Sequence, residues 1–105
     1  MGGTLAYLSP EVVRGEPPGP PNDLWAFVLS LYEAIAGVNP FSGKAAPLTL
    51  LEIASASIPD LRDMQRDASE AVAGFFRDAL SPDPGRRPGS AAALGQRLGG
   101  LLSST

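Results

Sequence analysis

Residues 23–37 read Asp23-Leu-Trp-Ala-Phe-Val-Leu-Ser-Leu-Tyr-Glu-Ala-Ile-Ala-Gly37, and this stretch decides the fold. Asn22 or Asp23 can cap a helix running from Leu24 to about Ala36, and Gly37 stands where a left-handed residue ends one. Its residues are apolar on almost every face, which predicts a helix buried all round. At about 20 Å it is too short to span a membrane, so it is expected to form the centre of a globular domain.

Proline and glycine punctuate the chain on both sides of it. Gly15 to Pro21 (GEPPGPP) is too rich in proline for a helix or a central strand and reads as a surface loop. Asn39-Pro40 makes a break, after which Thr49-Leu-Leu-Glu52 supplies a capping box for a short helix through about Ala56. Ile58 to Arg66 has no clean period, and Pro59 interrupts it, so a connector is expected. Ser69 can cap the next helix, with Val72, Phe75, Phe76, Ala79 and Leu80 on one face, and Ser81-Pro82-Asp83-Pro84 stops it. Ser90 can cap a last helix with Leu94, Leu98, Leu101 and Leu102 inward, weakened by Gly95, Gly99 and Gly100. No segment alternates over strand length. The fold class expected is all-α: about four main helices around a buried central one, with long loops, as a single domain over residues 1–105.

Composition closes several functional classes. The 105 residues carry a net charge of −3, which argues against a nucleic-acid partner, since that needs clustered Lys and Arg. Neither Cys nor His occurs, so disulfides, thiolate catalysis, Ser-His-Asp chemistry and Cys- or His-ligated metals are excluded. No signal peptide or membrane span is visible, so no membrane partner is expected and a cytoplasmic location is the default. Gly37 to Ala45 (GVNPFSGKA) imitates a phosphate-binding loop, but five residues separate its glycines where four are required. Ala45 also stands where a magnesium-binding hydroxyl belongs. Asp60, Asp63 and Asp67 lack the glycine-bearing loop of a cation site and read as a solvated acidic connector.

Three motifs, in order along the chain, carry a resemblance. Gly3-Thr4-Leu5-Ala6-Tyr7-Leu8-Ser9-Pro10-Glu11 resembles the end of the activation segment of Ser/Thr protein kinases, a GTxxY stretch running into (A/S)PE. Asp23-Leu24-Trp25, Leu31-Tyr32-Glu33, Gly37 and Pro40-Phe41 resemble the DxW…LYE…G…PF pattern of the helix that organises the kinase large lobe. Asp83-Pro84-Gly85-Arg86-Arg87-Pro88, followed by Ser90-Ala91, resembles DPxxRP before the family's final helix. The chain is thus identified as similar to the C-terminal part of a kinase large lobe.

The resemblance implies roles. Glu11 and Arg87 would form a buried ion pair clamping the first loop to the last helix. Thr4 would help admit a Ser or Thr substrate, and Gly3 to Leu8, with Gly3, Thr4, Leu5 and Tyr7 as substrate-binding candidates, would receive the residue after the phosphoacceptor. Asp23 would accept hydrogen bonds from the catalytic loop, and Trp25 would pack. Ala26 and Val28 replace the usual small Ser and Gly and would shift the packing around the central helix. The family's phosphate-binding loop, Lys–Glu pair, catalytic aspartate and magnesium ligands precede Gly3 in family order, where only Met1 and Gly2 stand. No catalytic or metal residue is therefore expected in this chain, and ATP and Mg would be used only if the missing part were supplied.

Two functional expectations follow. One is a fragment of a Ser/Thr kinase domain, inactive alone, whose partners would be a protein substrate, a regulator or the missing kinase part. The other is a stand-alone, non-catalytic helical interaction module. In either case the central helix should lack neighbours and expose an apolar patch that favours self-association or partner binding.

Overall fold

The proline pair that reads as loop in the sequence in fact opens the central helix. In the computed structural model, which describes residues 5–103, the helices are α1 (Pro10–Val13), α2 (Pro20–Ala36), α3 (Ala46–Ala54), α4 (Leu61–Met64), α5 (Glu70–Ala79) and α6 (Ala91–Ser103), with a 3₁₀ turn at Pro84–Arg86. Pro20 and Pro21 occupy the first turn of α2 after an extended Gly19, so Asn22 and Asp23 lie inside the helix rather than capping it. Proline is tolerated there because first-turn N–H groups have no helical partner to lose. Gly37 ends α2 as expected, left-handed at φ 87°, its N–H donating to Glu33 O.

Two other boundaries differ from the sequence reading. Helix α3 starts at Ala46, with Pro47 in its first turn, so Thr49 sits inside the helix and caps nothing. The Thr49 hydroxyl is buried and lies 3.4 Å from the carbonyls of both Phe41 and Lys44, while Glu52 pairs with Lys44 at 2.6 Å. The connector contains α4, one turn capped by Asp60, whose carboxylate accepts from Arg62 N–H at 3.0 Å. The cap at Ser69 holds, its Oγ accepting from Val72 N–H at 3.1 Å, as does that at Ser90, whose Oγ accepts from Ala93 N–H at 3.0 Å.

The core lies between α2 and α5. Trp25, Val28, Leu29 and Tyr32 from α2 meet Ala73, Phe75, Phe76 and Ala79 from α5, and Phe41, Ile53, Leu61, Leu80 and Leu94 close the sides. Tyr32 stands edge-on to Phe76 with ring centroids 5.7 Å apart, and its hydroxyl reaches out of the core to donate to Pro59 O at 2.8 Å. Aromatic pairs of this geometry contribute about 0.5–1.5 kcal/mol beyond the area they bury. Of the inward set expected on the last helix, Leu94 is buried and Leu98 and Leu101 pack against the core; the side chain of Leu102 lies outside those described.

The expectation of a helix buried all round is corrected. Asp23, Phe27, Ser30 and Ala34, at successive helical turns, form an exposed stripe on α2, and Phe27 keeps 50% of its surface in water. Apolar composition on every side does not bury every side; a helix is covered only where other elements reach it. Among the described residues there is no strand, and no helix is long and apolar enough to cross a membrane.

Helix α3 ends in a tight left-handed turn without glycine. Ser57 N–H donates to Glu52 O at 2.9 Å and Ala56 N–H to Ile53 O at 2.8 Å, a Schellman arrangement with Ala56 at φ 49°. An L-residue pays about 1–2 kcal/mol in that conformation, and glycine there loses about 0.5–1 kcal/mol in unfolded-chain entropy. Ala56→Gly is therefore expected to stabilise the fold by about 0.5 kcal/mol, read as a higher urea midpoint at unchanged slope. A lower midpoint would show that the Ala56 methyl contributes more than its strain costs.

Candidate functional site

The first described loop is fastened to the bundle at three levels. Lowest is an ion pair: Arg87 donates from Nη2 to Glu11 Oε1 at 2.7 Å and from Nη1 to Glu11 Oε2 at 2.9 Å, a two-pronged contact between residues 76 apart. The Arg87 Nε donates to Ser81 O at 2.7 Å, and the guanidinium carbon lies 4.9 Å from the Trp25 ring centroid. Only 7% of the Arg87 side chain and 13% of that of Glu11 remain exposed. The planar fork of arginine suits this position because it can pair with a carboxylate, cap a carbonyl and stack on an indole at once.

Local sequence builds both ends of this contact. Ser9 caps α1 and sets Glu11 in its first turn, while Asp83 folds the turn before Arg87 by accepting from Gly85 N–H at 2.9 Å. Trp25 is brought beneath Arg87 by α2. Its Nε1 is buried and makes no hydrogen bond, so the indole serves here as a flat apolar surface. The Arg87 hydrogen bonds hold the Glu11 carboxyl below its ordinary range, outweighing burial, which pulls the other way.

The second level is backbone. Ser9 N–H donates to Asn22 Oδ1 at 2.9 Å, and Asn39 Nδ2 donates to Ala6 O at 3.3 Å while its Oδ1 accepts from Phe41 N–H at 2.7 Å. The third is the Tyr7 hydroxyl, which donates to Glu33 Oε1 on α2. That contact with Glu33, followed by burial, raises the Tyr7 phenol above its usual range. Tyr7 and the half-buried Leu5 thus sit on a segment held from below by α2.

Among the residues singled out by sequence, Glu11, Arg87 and Trp25 meet in one cluster, with Leu5 and Tyr7 on the loop above. Asp23 stands apart: it is exposed, its N–H donates to Gly19 O at 3.2 Å, and its carboxylate makes no hydrogen bond or ion pair among the described residues. Gly3 and Thr4 lie outside the described residues. Sequence reasoning gave Glu33 no role of its own, and read Asn22 only as a possible helix cap and Asn39 only as part of a break. Glu33 stood within the motif that carried the resemblance, and a polar residue at the end of an apolar helix was its only other signal. Nothing local marks Asn39 except the proline after it. The imitation phosphate loop resolves into a turn in which Lys44 Nζ donates to Pro40 O at 2.8 Å and to Glu52 at 2.6 Å. Asp60, read as solvated, is held by Arg77 at 2.5 Å, and Arg77 also pairs with Glu70 at 2.6 Å.

A model of the protein kinase domain family matches residues 1–98. The chain is 37% identical over 87 residues to serine/threonine-protein kinase AGC1-5 of Arabidopsis thaliana, covering 81% of this chain and 14% of that protein. It is 33% identical over 101 residues to serine/threonine-protein kinase PknK of Mycobacterium tuberculosis, covering 93% of this chain and 9% of that protein. Among solved structures it superimposes on the twitchin kinase region of C. elegans with TM-score 0.71 and 30% identity, over 83% of this chain and 15% of that one. A Rad53 kinase domain structure matches with TM-score 0.68 and 30% identity, over 87% of this chain and 36% of that one. The chain spans about a third or less of each of these relatives.

Two predictions follow from the clamp. In a double-mutant cycle of Glu11→Gln and Arg87→Met, followed by urea unfolding, the two changes should couple by about 1–3 kcal/mol, since either alone strands a charge. Additive losses would remove the clamp from the account. Acid should act through the same pair. Glu11 is depressed in the folded state, so its contribution is complete above the unfolded carboxylate range and is lost as pH falls through the lower folded value. The melting temperature should be level from about pH 6 to 8 and drop below about pH 4.5. Glu11→Gln should flatten that drop; an unchanged acid slope would contradict the assignment. From the match over residues 1–98 and the shared helical fold, the chain belongs to the protein kinase family, and its curated relatives are Ser/Thr kinases.

Proposed function

We propose that this chain is the C-terminal part of a Ser/Thr kinase large lobe, which holds the substrate-facing loop on a helical scaffold and supports phosphoryl transfer only when joined to the remainder of a kinase domain. The observation that carries this reading is the uncovered stripe on α2. A helix otherwise packed in the core leaves Phe27 half exposed and the Asp23 carboxylate without a partner among the described residues. An unpartnered carboxylate beside an apolar face is suited to receive another piece of chain through backbone N–H donors and apolar contact together. The small share of each relative that the chain spans supports the same reading.

Among the described residues no three of Asp, Glu, His or Cys gather at a distance that would hold a metal ion. With no His in the sequence, the His-Arg-Asp motif of the family's catalytic loop is not present either. The residues that are present have positioning work to do. Glu11 and Arg87 fix the base of the loop and Tyr7 and Glu33 fix its middle; Gly3 and Thr4, to which the resemblance gives the admission of a Ser or Thr substrate, lie outside the described residues.

Calorimetric titration of the purified chain with Mg·ATP tests this directly. The expected result is no saturable binding up to about 1 mM, the upper end of ordinary enzyme affinities; saturable binding below that would show a nucleotide site in the chain itself. A second reading, a non-catalytic interaction module, is favoured by the exposed leucines of α3, Leu48 and Leu51.

A further inference from the structure

Between the segment that leads into α4 and helix α5 lies a cavity of about 280 Å³ that neither Glu11 nor Arg87 lines. Its floor is apolar and closed: Tyr32, Leu61, Phe76 and Leu80 line it, each 5% exposed or less. Its rim is charged, formed by Asp60 and Arg77, whose side chains keep 30% and 46% of their surface in water. Apolar walls with a few polar groups at one edge are the usual form of a small-ligand site. A cavity of about 150 Å³ holds one benzene ring, so this one has room for a fused bicyclic ring with a short tether.

The charges at the rim select the sign of the ligand. Arg77 is held by two carboxylates at once, Asp60 at 2.5 Å and Glu70 at 2.6 Å, and Arg62 reaches Glu70 at 3.3 Å. With Asp63, whose charge also reaches Tyr32, three carboxylates stand against two guanidiniums. A carboxylate offers about four lone-pair sites, and among the described residues that of Asp60 accepts only from Arg77 Nε and Arg62 N–H. Burial first, and then the charges of Asp60 and Asp63, push the Tyr32 phenol above its ordinary range, so the floor lies in a negative field. An anion would have to displace Glu70 from Arg77. A cation meets a carboxylate with room for it.

We propose that this cavity binds a small arylalkyl ammonium, its ring on the apolar floor and its charge at the Asp60 carboxylate. Tyr32 and Phe76 already stand edge-on with centroids 5.7 Å apart, and a third ring can join them in the same geometry. The Tyr32 hydroxyl is fixed by its bond to Pro59 O, so this wall is set before any ligand arrives. Asp60 is partly in water, so the ammonium bound there keeps its remaining hydrogens solvated and avoids most of the cost of burying a charge.

The test is an amide chemical-shift titration of the isotope-labelled chain at neutral pH with three probes that share an indole: tryptamine, a cation; tryptophol, neutral; and indole-3-propionate, an anion. Tryptamine should shift the amides of Leu61, Phe76 and Arg77 saturably, with a Kd of about 0.1–1 mM. Tryptophol should bind about fivefold more weakly, the worth of one partly solvated ion pair, and indole-3-propionate more weakly still. Asp60→Asn keeps the cap on Arg62 N–H and removes the charge. It should bring tryptamine to the level of tryptophol and leave tryptophol unchanged, with circular dichroism showing that the helices persist. If that variant loses its helices, the ranking of the three probes on the wild-type chain decides alone. Tryptamine shifts that do not saturate or that fall away from the cavity would overturn the proposal. So would indole-3-propionate binding as tightly as tryptamine, or a folded Asp60→Asn chain that binds tryptamine like the wild type.

Discussion

The structure depends on one guanidinium. Arg87 meets Glu11 across 76 residues of chain, caps the Ser81 carbonyl and stacks on Trp25, joining three segments that share no continuous element. Its surroundings are nearly closed to water, so the charge is tolerable only while every partner is in place. Without it the first segment would keep single hydrogen bonds: neutral ones from Ser9 to Asn22 and from Asn39 to Ala6, each contributing about 0.5–1.5 kcal/mol, and charge-assisted ones from Tyr7 to Glu33 and from Arg14 to Ala54 O. The pair therefore matters less as a source of net stability than as the condition under which the loop has one position.

That position is transmitted upward through α2. The same helix supplies Trp25 under the clamp, Asn22 to the backbone of Ser9 and Glu33 to the hydroxyl of Tyr7, so three contacts along its length hold successive points of the loop. A loop carried on one rigid helix keeps its geometry better than one held by another loop, which is the physical reason such a segment can present a surface reproducibly. The helix that does this also leaves a stripe uncovered, from Asp23 past Phe27 to Ala34, on the side away from the packed core. Holding a loop and leaving a face uncovered are in this chain properties of the same element.

Much of this was legible in the sequence, and the failures have common causes. Helices α5 and α6 were visible because Ser69 and Ser90 cap them and their apolar residues recur at helical spacing. Helix α2 was visible from Leu24 to its end at Gly37, and misread only over its first turn, because prolines break a helix everywhere except there. The start of α3 was missed because Thr49 and Glu52 imitate a capping box inside a helix that already opens with Pro47 in its first turn. Burial of α2 was overread because composition reports what a face would tolerate and not what covers it. The Glu11–Arg87 pairing came from family resemblance alone; no local pattern could link residues so far apart. Asn39 and Asn22 were misjudged because an asparagine that turns a chain and one that bridges two segments look alike in sequence.

Native-state hydrogen exchange of the Glu11→Gln variant tests most directly whether the ion pair is what fixes the loop. The amides of Ser9, Val13 and Arg14, which donate to Asn22 Oδ1, Ser9 O and Pro10 O, should lose protection, while those in the core turns of α2 and α5 keep theirs. If Ser9, Val13 and Arg14 exchange as slowly in the variant as in the wild type, the loop is held by other contacts and the clamp is incidental.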